Sequence, residues 1–148
     1  MLFRSLKQVA SLLDQHARDT DVVTRSGGEE FIVVLPGTEL AGGTMFAERM
    51  RYTVSRSTNI TVSAGVAMVG EGDDVKTFLT RADSALYAAK AAGRNCVFCH
   101  NGEDALPSQS QDIMTPGAPP AEPRGRAKQA EPQPSDEAGE QAEPQEAS

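Results

Sequence analysis

Apolar positions along the first hundred residues repeat with two periods. Leu2, Leu6, Val9 and Leu13 recur at helical spacing. Short β-rich runs at about 22–25 and 29–35 flank a glycine turn, which predicts a hairpin. After Pro36-Gly37, Thr38 is the expected N-cap of a helix with Phe46, Met50 and Val54 on one face. Gly42 and Gly43 weaken its first turns by about 1 kcal/mol each relative to Ala. Ile60, Val62, Ala64, Val66 and Met68 alternate with small or polar residues and predict a strand. Asp73 or Asp74 is expected to cap a last helix, with Val75, Leu79, Ala82, Leu86 and Ala89 as its buried stripe and Gly93 at its end. Residues 95–99 then close as a short strand. The expected order is helix, hairpin, helix, strand, helix, strand, tail.

Charge sharpens the boundary of that tail. The net charge of −7 belongs wholly to residues 101–148, with 3 basic and 10 acidic side chains; residues 1–100 carry 11 of each sign. Eight of the nine prolines lie in the tail, which has no aromatic residue. Such a segment buries too little apolar surface to offset its ordering entropy and is expected to be disordered. The domain expectation is therefore a folded part over 1–100 and a Pro/Glu/Ala-rich acidic tail over 101–148. The balance gives no support for nucleic-acid binding. No stretch approaches the ~20 apolar residues of a membrane span, and residues 1–6 are too short and too quickly polar for a secretory signal. The chain is expected in the cytoplasm.

The candidate chemistry is concentrated at residues 18–31. Gly27-Gly28-Glu29-Glu30-Phe31 places two glycines before two carboxylates and an apolar run. The glycines are expected to reach positive φ and to leave no Cβ in a ligand's way. Glu29 and Glu30 are expected to face opposite sides of the outgoing strand. Arg18 and Asp21 form an Arg-x-x-Asp pair five residues before Gly27. Lys90 and Arg94, four apart at a helix end, are expected to point one way; cations there also suit the helix dipole. Cys96-Val-Phe-Cys99-His100 fits the c-type haem pattern, but with no export signal and no second ligand pair, haem is not expected and free thiols are.

The turn resembles the signature of the GGDEF family, the diguanylate cyclases. Thr61-Val-Ser-Ala-Gly-Val-Ala67 resembles that family's next core strand. Ala82-Asp-Ser-Ala-Leu-Tyr-Ala-Ala-Lys90 with Gly93-Arg94-Asn95 resembles its last helix and following turn. The resemblance covers roughly residues 2–99. It implies an α/β fold, a nucleotidyl-cyclase-like sheet with flanking helices, and condensation of two GTP into cyclic di-GMP with Mg²⁺ by a homodimer, a nucleotidyltransferase reaction. It implies Glu29 as metal ligand and general base, Glu30 as electrostatic support, and Gly27, Gly28, Lys90 and Arg94 as the substrate cradle. Arg18, Asp21 and Arg49 then correspond to the product-inhibition site. The family's first strand, with a metal-holding Asp, and its following helix, with a guanine-selecting Asn and Asp, have no counterpart in these residues. The expected domain is thus truncated at its N-terminus: either the true start lies upstream, or the chain is a cyclase remnant. The alternatives to turnover are a non-catalytic cyclic di-GMP-binding module and an inert remnant.

Overall fold

Helix α1 (Leu2–His16) owes its position to the apolar stripe read above. The computed structural model describes residues 2–109, and the side chain of Leu2 lies outside those described. Val9 and Leu13 are buried against Met50 and Val54 of helix α2 (Leu40–Ser57). Val23, Phe31 and Val33 of the hairpin, with Ile60 and Val62, close that core.

The hairpin consists of β1 (Val22–Gly27) and β2 (Glu30–Val34), antiparallel, with Val23 opposite Val33 and Arg25 opposite Phe31. A bulge lies between Arg25 and Gly27. The strand expected from 29 begins one residue later, because Glu29 is taken up by the turn.

Thr38 does not cap α2. Its hydroxyl donates to Pro36 O at 3.4 Å, and the N-cap is Glu39, in extended backbone without a side-chain capping bond. The glycines that loosen the start of α2 have a packing use. A Cβ on Gly43 would lie 3.1 Å from Val66 Cγ1, so the bare helix face lets a strand approach. Phe46, Met50 and Val54 face inward as expected, with Met50 buried and Val54 fully so.

The strand expected over 60–68 is laddered only as β3 (Ala64–Ala67). Its parallel partner, β4 (Val97–His100), reaches only that far. Helix α3 (Val75–Ala91) connects them, as parallel strands require. Asp74 is its N-cap, accepting from the Thr77 amide at 2.7 Å. Asp73 instead holds the preceding loop through Gly70 N–H and Arg81. Val75, expected in the buried stripe, is 74% exposed at the first helical position; Ala85, fully buried, belongs to the stripe in its place. A Cβ on Gly65 would strike the backbone of Ala82 and Leu86. That missing side chain sets how closely α3 lies on β3.

The fold continues past residue 100. Antiparallel to β4 runs β5 (Ala105–Pro107), after a turn closed by Asn101 Oδ1, which accepts from the amides of Glu103 (2.9 Å) and Asp104 (2.8 Å). This strand falls in the stretch expected to be tail. Its signal was Asn101-Gly102, a hairpin dipeptide, with Gly102 at φ 111°. The rest of the expected tail, 110–148, lies outside the described residues. Two sheets result, β1–β2 and β3–β4–β5. Among the described residues no helix is long and apolar enough to cross a membrane.

Candidate nucleotide-binding site

The Gly-Gly turn is held by the side chain of Arg25. Its guanidinium donates to Gly28 O through Nε at 3.1 Å and also through Nη2. Neither Gly27 nor Gly28 has a positive φ, contrary to expectation. The bulge after Arg25 supplies the bend that left-handed glycines were expected to supply. A Cβ on either would meet nothing within 4 Å. Their bare backbone therefore serves open space and not packing. Glu29 lies in the turn and Glu30 opens β2, so the two do not alternate along one strand as expected.

Glu30 joins the turn to the end of α3. Its Oε1 accepts from Lys90 Nζ at 2.8 Å, with both side chains partly in solvent. Arg94 is not on the same helical face as Lys90, because α3 ends at Ala91. Arg94 (φ 65°) and Asn95 (φ 48°) instead follow Gly93 (φ 111°) in left-handed backbone. For a non-glycine residue that conformation costs of order 1–3 kcal/mol. The strand expected from 95 accordingly starts at Val97. Arg94 is exposed, and its amide donates to Ala89 O at 3.1 Å.

A second cluster lies in the connection from α1 to β1. Arg18 and Asp21 close a loop on themselves: the Arg18 amide donates to Asp21 Oδ2 at 2.7 Å, and the Asp21 amide donates to Arg18 O at 2.9 Å. Arg49 reaches the same corner from α2, donating to His16 O at 3.5 Å and lying over the Phe46 ring at 5.3 Å. Asp21 Oδ1 and Arg49 Nε are buried without hydrogen-bond partners. Each such orphan costs about 1–3 kcal/mol until something fills it. One is an acceptor and the other a donor.

Between α1 and the hairpin runs a groove of about 370 Å³, with Leu6, Ala10, Val23 and Phe31 among its apolar lining and Lys7, Asp14 and Arg25 at its polar edge. The groove was not anticipated, since it depends on how α1 crosses the hairpin, and the Arg25 clamp was not, since it follows from the bulge between Arg25 and Gly27. Of the residues expected to meet magnesium, the turn presents its two carboxylates, Glu29 and Glu30. Glu30 is engaged by Lys90, which leaves Glu29 as the one unengaged carboxylate of the turn. Among the described residues no group of three or more His, Cys, Asp or Glu could hold a metal ion. The thiols are free: Cys96 Sγ donates to Ala89 O at 3.3 Å and Cys99 Sγ to Leu106 O at 3.7 Å. Burial pushes the Cys96 thiol above its ordinary range, which disfavours the reactive thiolate.

Comparison with known proteins identifies the family. The family model described as diguanylate cyclase, GGDEF domain, matches residues 4–96. The chain is similar to the response regulator PleD of Caulobacter vibrioides, at 44% identity over 103 residues, covering 62% of this chain and 23% of PleD. It is similar to the diguanylate cyclase DgcP of Pseudomonas aeruginosa, at 38% identity over 98 residues, covering 61% of this chain and 15% of DgcP. The chain thus spans less than a quarter of the length of either relative. Among solved structures it is similar to the crystal structure of the GGDEF domain of DgcB from Caulobacter crescentus in complex with c-di-GMP, with a TM-score of 0.61 and 34% identity. That match covers 66% of this chain and 63% of the DgcB chain. With its turn, its α3 end and this match over residues 4–96, the chain belongs to the GGDEF family, the diguanylate cyclase domains.

Proposed function

We propose that this chain is a guanine-nucleotide-binding part of a diguanylate-cyclase-type domain, and that it binds cyclic di-GMP through Arg18, Asp21 and Arg49. The observation that carries this reading is the pair of orphaned atoms, Asp21 Oδ1 and Arg49 Nε, at one corner of the fold. A guanine edge offers N–H donors for the carboxylate, and a phosphate offers acceptors for the guanidinium. Arg18, exposed beside them, supplies a bidentate fork to the same ligand.

The triphosphate of GTP is assigned to the open face of Gly27 and Gly28, with Lys90 and Arg94 as the cations that neutralise it. Glu30 sets the resting place of the Lys90 ammonium. Calorimetry tests the primary reading. Cyclic di-GMP should bind the full chain, and Arg18→Ala or Asp21→Ala should weaken binding by tenfold or more, about 1.4 kcal/mol.

The second reading is turnover, condensation of two GTP presented by two protomers. It is favoured by Glu29, an exposed carboxylate of the turn with no hydrogen bond or ion pair among the described residues, and a carboxylate can accept a proton. Among the described residues no group of three or more His, Cys, Asp or Glu could hold a metal ion, so this reading draws on further carboxylates for a magnesium pair. Incubation with GTP and Mg²⁺, scored for cyclic di-GMP, separates the two readings.

A further inference from the structure

The strained turn that carries Arg94 is braced by a polar relay whose far end, Ser108, lies outside the stretch matched by the family model. Glu48 of α2 is 3% exposed, an unusual place for a carboxylate. Its Oε1 accepts from Ser108 Oγ at 2.7 Å, and its Oε2 accepts from Arg51 Nε at 2.7 Å. Arg51 Nη1 in turn donates to Asn95 Oδ1 at 3.3 Å. The Asn95 amide donates to Ser63 Oγ at 3.1 Å, just before β3. Ser108 is itself 5% exposed and is placed by its amide, which donates to Val97 O at 2.9 Å directly after β5. The family match ends at residue 96, so β5 and Ser108 lie beyond it.

We infer that Ser108, Glu48 and Arg51 are positioning residues for Arg94. Through Asn95 they keep two consecutive non-glycine residues in left-handed backbone and so aim the Arg94 guanidinium. The bond from the Asn95 amide to Ser63 Oγ leaves the Asn95 side chain unheld; the relay fixes it from the opposite element. The local fold alone does not require a buried Glu–Arg pair here, because such pairs add little net stability against apolar packing. Their use is geometric: they tie α2 to the end of α3 and to β5. This inference rests on the assignment of Arg94 to phosphate.

The test uses the full chain as wild type, Ser108→Ala, Arg51→Met and Arg94→Ala, with two readouts. Amide hydrogen exchange is read by NMR at Arg94 and Asn95 and, for comparison, at Ala85 and Ala89 within α3. Affinity for inorganic triphosphate is read by calorimetry. Ser108→Ala and Arg51→Met should speed exchange at 94 and 95 by about tenfold while leaving 85 and 89 unchanged, the loss of roughly one charge-assisted hydrogen bond. Both should weaken triphosphate binding toward the value of Arg94→Ala. Unchanged exchange at 94 and 95, or equal acceleration at all four amides, overturns the inference, the latter by showing a merely global role. Failure of the wild type to bind triphosphate overturns the phosphate assignment of Arg94, and the exchange readout still decides the relay.

Discussion

Gly27 and Gly28 show how a residue's role is settled by what surrounds it. Neither has the positive φ that would demand glycine, and neither has a neighbour that a Cβ would strike. Gly27→Ala and Gly28→Ala should therefore fold with stability within about 0.5 kcal/mol of wild type in urea titrations. If the bare backbone serves phosphate, the same substitutions should weaken triphosphate binding. Gly65 is the opposite case, since a methyl there enters the backbone of α3. Gly65→Ala should cost about 1–3 kcal/mol in the same titration. Asp73 adds a pH dependence. The hydrogen bond from Arg81 first, and then that from Gly70 N–H, hold its carboxyl below the usual range of 3.8. A carboxyl with a lowered folded pKa stabilises the fold above its unfolded value and loses that contribution as pH falls through the folded one. Stability should thus drop as pH falls below about 3.8, and Asp73→Asn should remove that part of the acid transition.

At the scale of elements, periodicity carried the reading where burial is one-sided. The inward face of α1, the hairpin and the Phe46–Met50–Val54 face of α2 were all legible because each packs on a single core. Val54 is 1% exposed, and Val54→Ala should cost about 2–3 kcal/mol by urea denaturation. The misses have other causes. Val75 is apolar at a helix start, where the first turn overhangs solvent, so composition alone placed it wrongly. The strand at 60–68 shrank to Ala64–Ala67 because a ladder is as long as its partner. β5 was hidden by proline content, since Pro107 sits at the end of a short edge strand, where a missing N–H is tolerated. The spacing of Lys90 and Arg94 implied a shared helical face, but the helix stops between them. What sequence could not convey at the site is long-range contact: Arg49 on His16 and Glu48 on Ser108.

In the molecule as a whole, the candidate site divides into two clusters of unequal readiness. The turn, Lys90 and Arg94, proposed for the triphosphate, combine cations with open backbone, and among the described residues no group of three or more His, Cys, Asp or Glu could hold a metal ion. The corner formed by Arg18, Asp21 and Arg49 holds a buried acceptor and a buried donor, both unfilled. The account therefore centres on ligand recognition at that corner, with catalysis dependent on further donors. The most direct measurement is calorimetric titration of the full chain with cyclic di-GMP, without divalent metal, for the wild type and Asp21→Ala. Saturable binding by the wild type that falls tenfold or more in Asp21→Ala is the predicted result. A wild type that does not bind, or a variant that binds equally well, contradicts it.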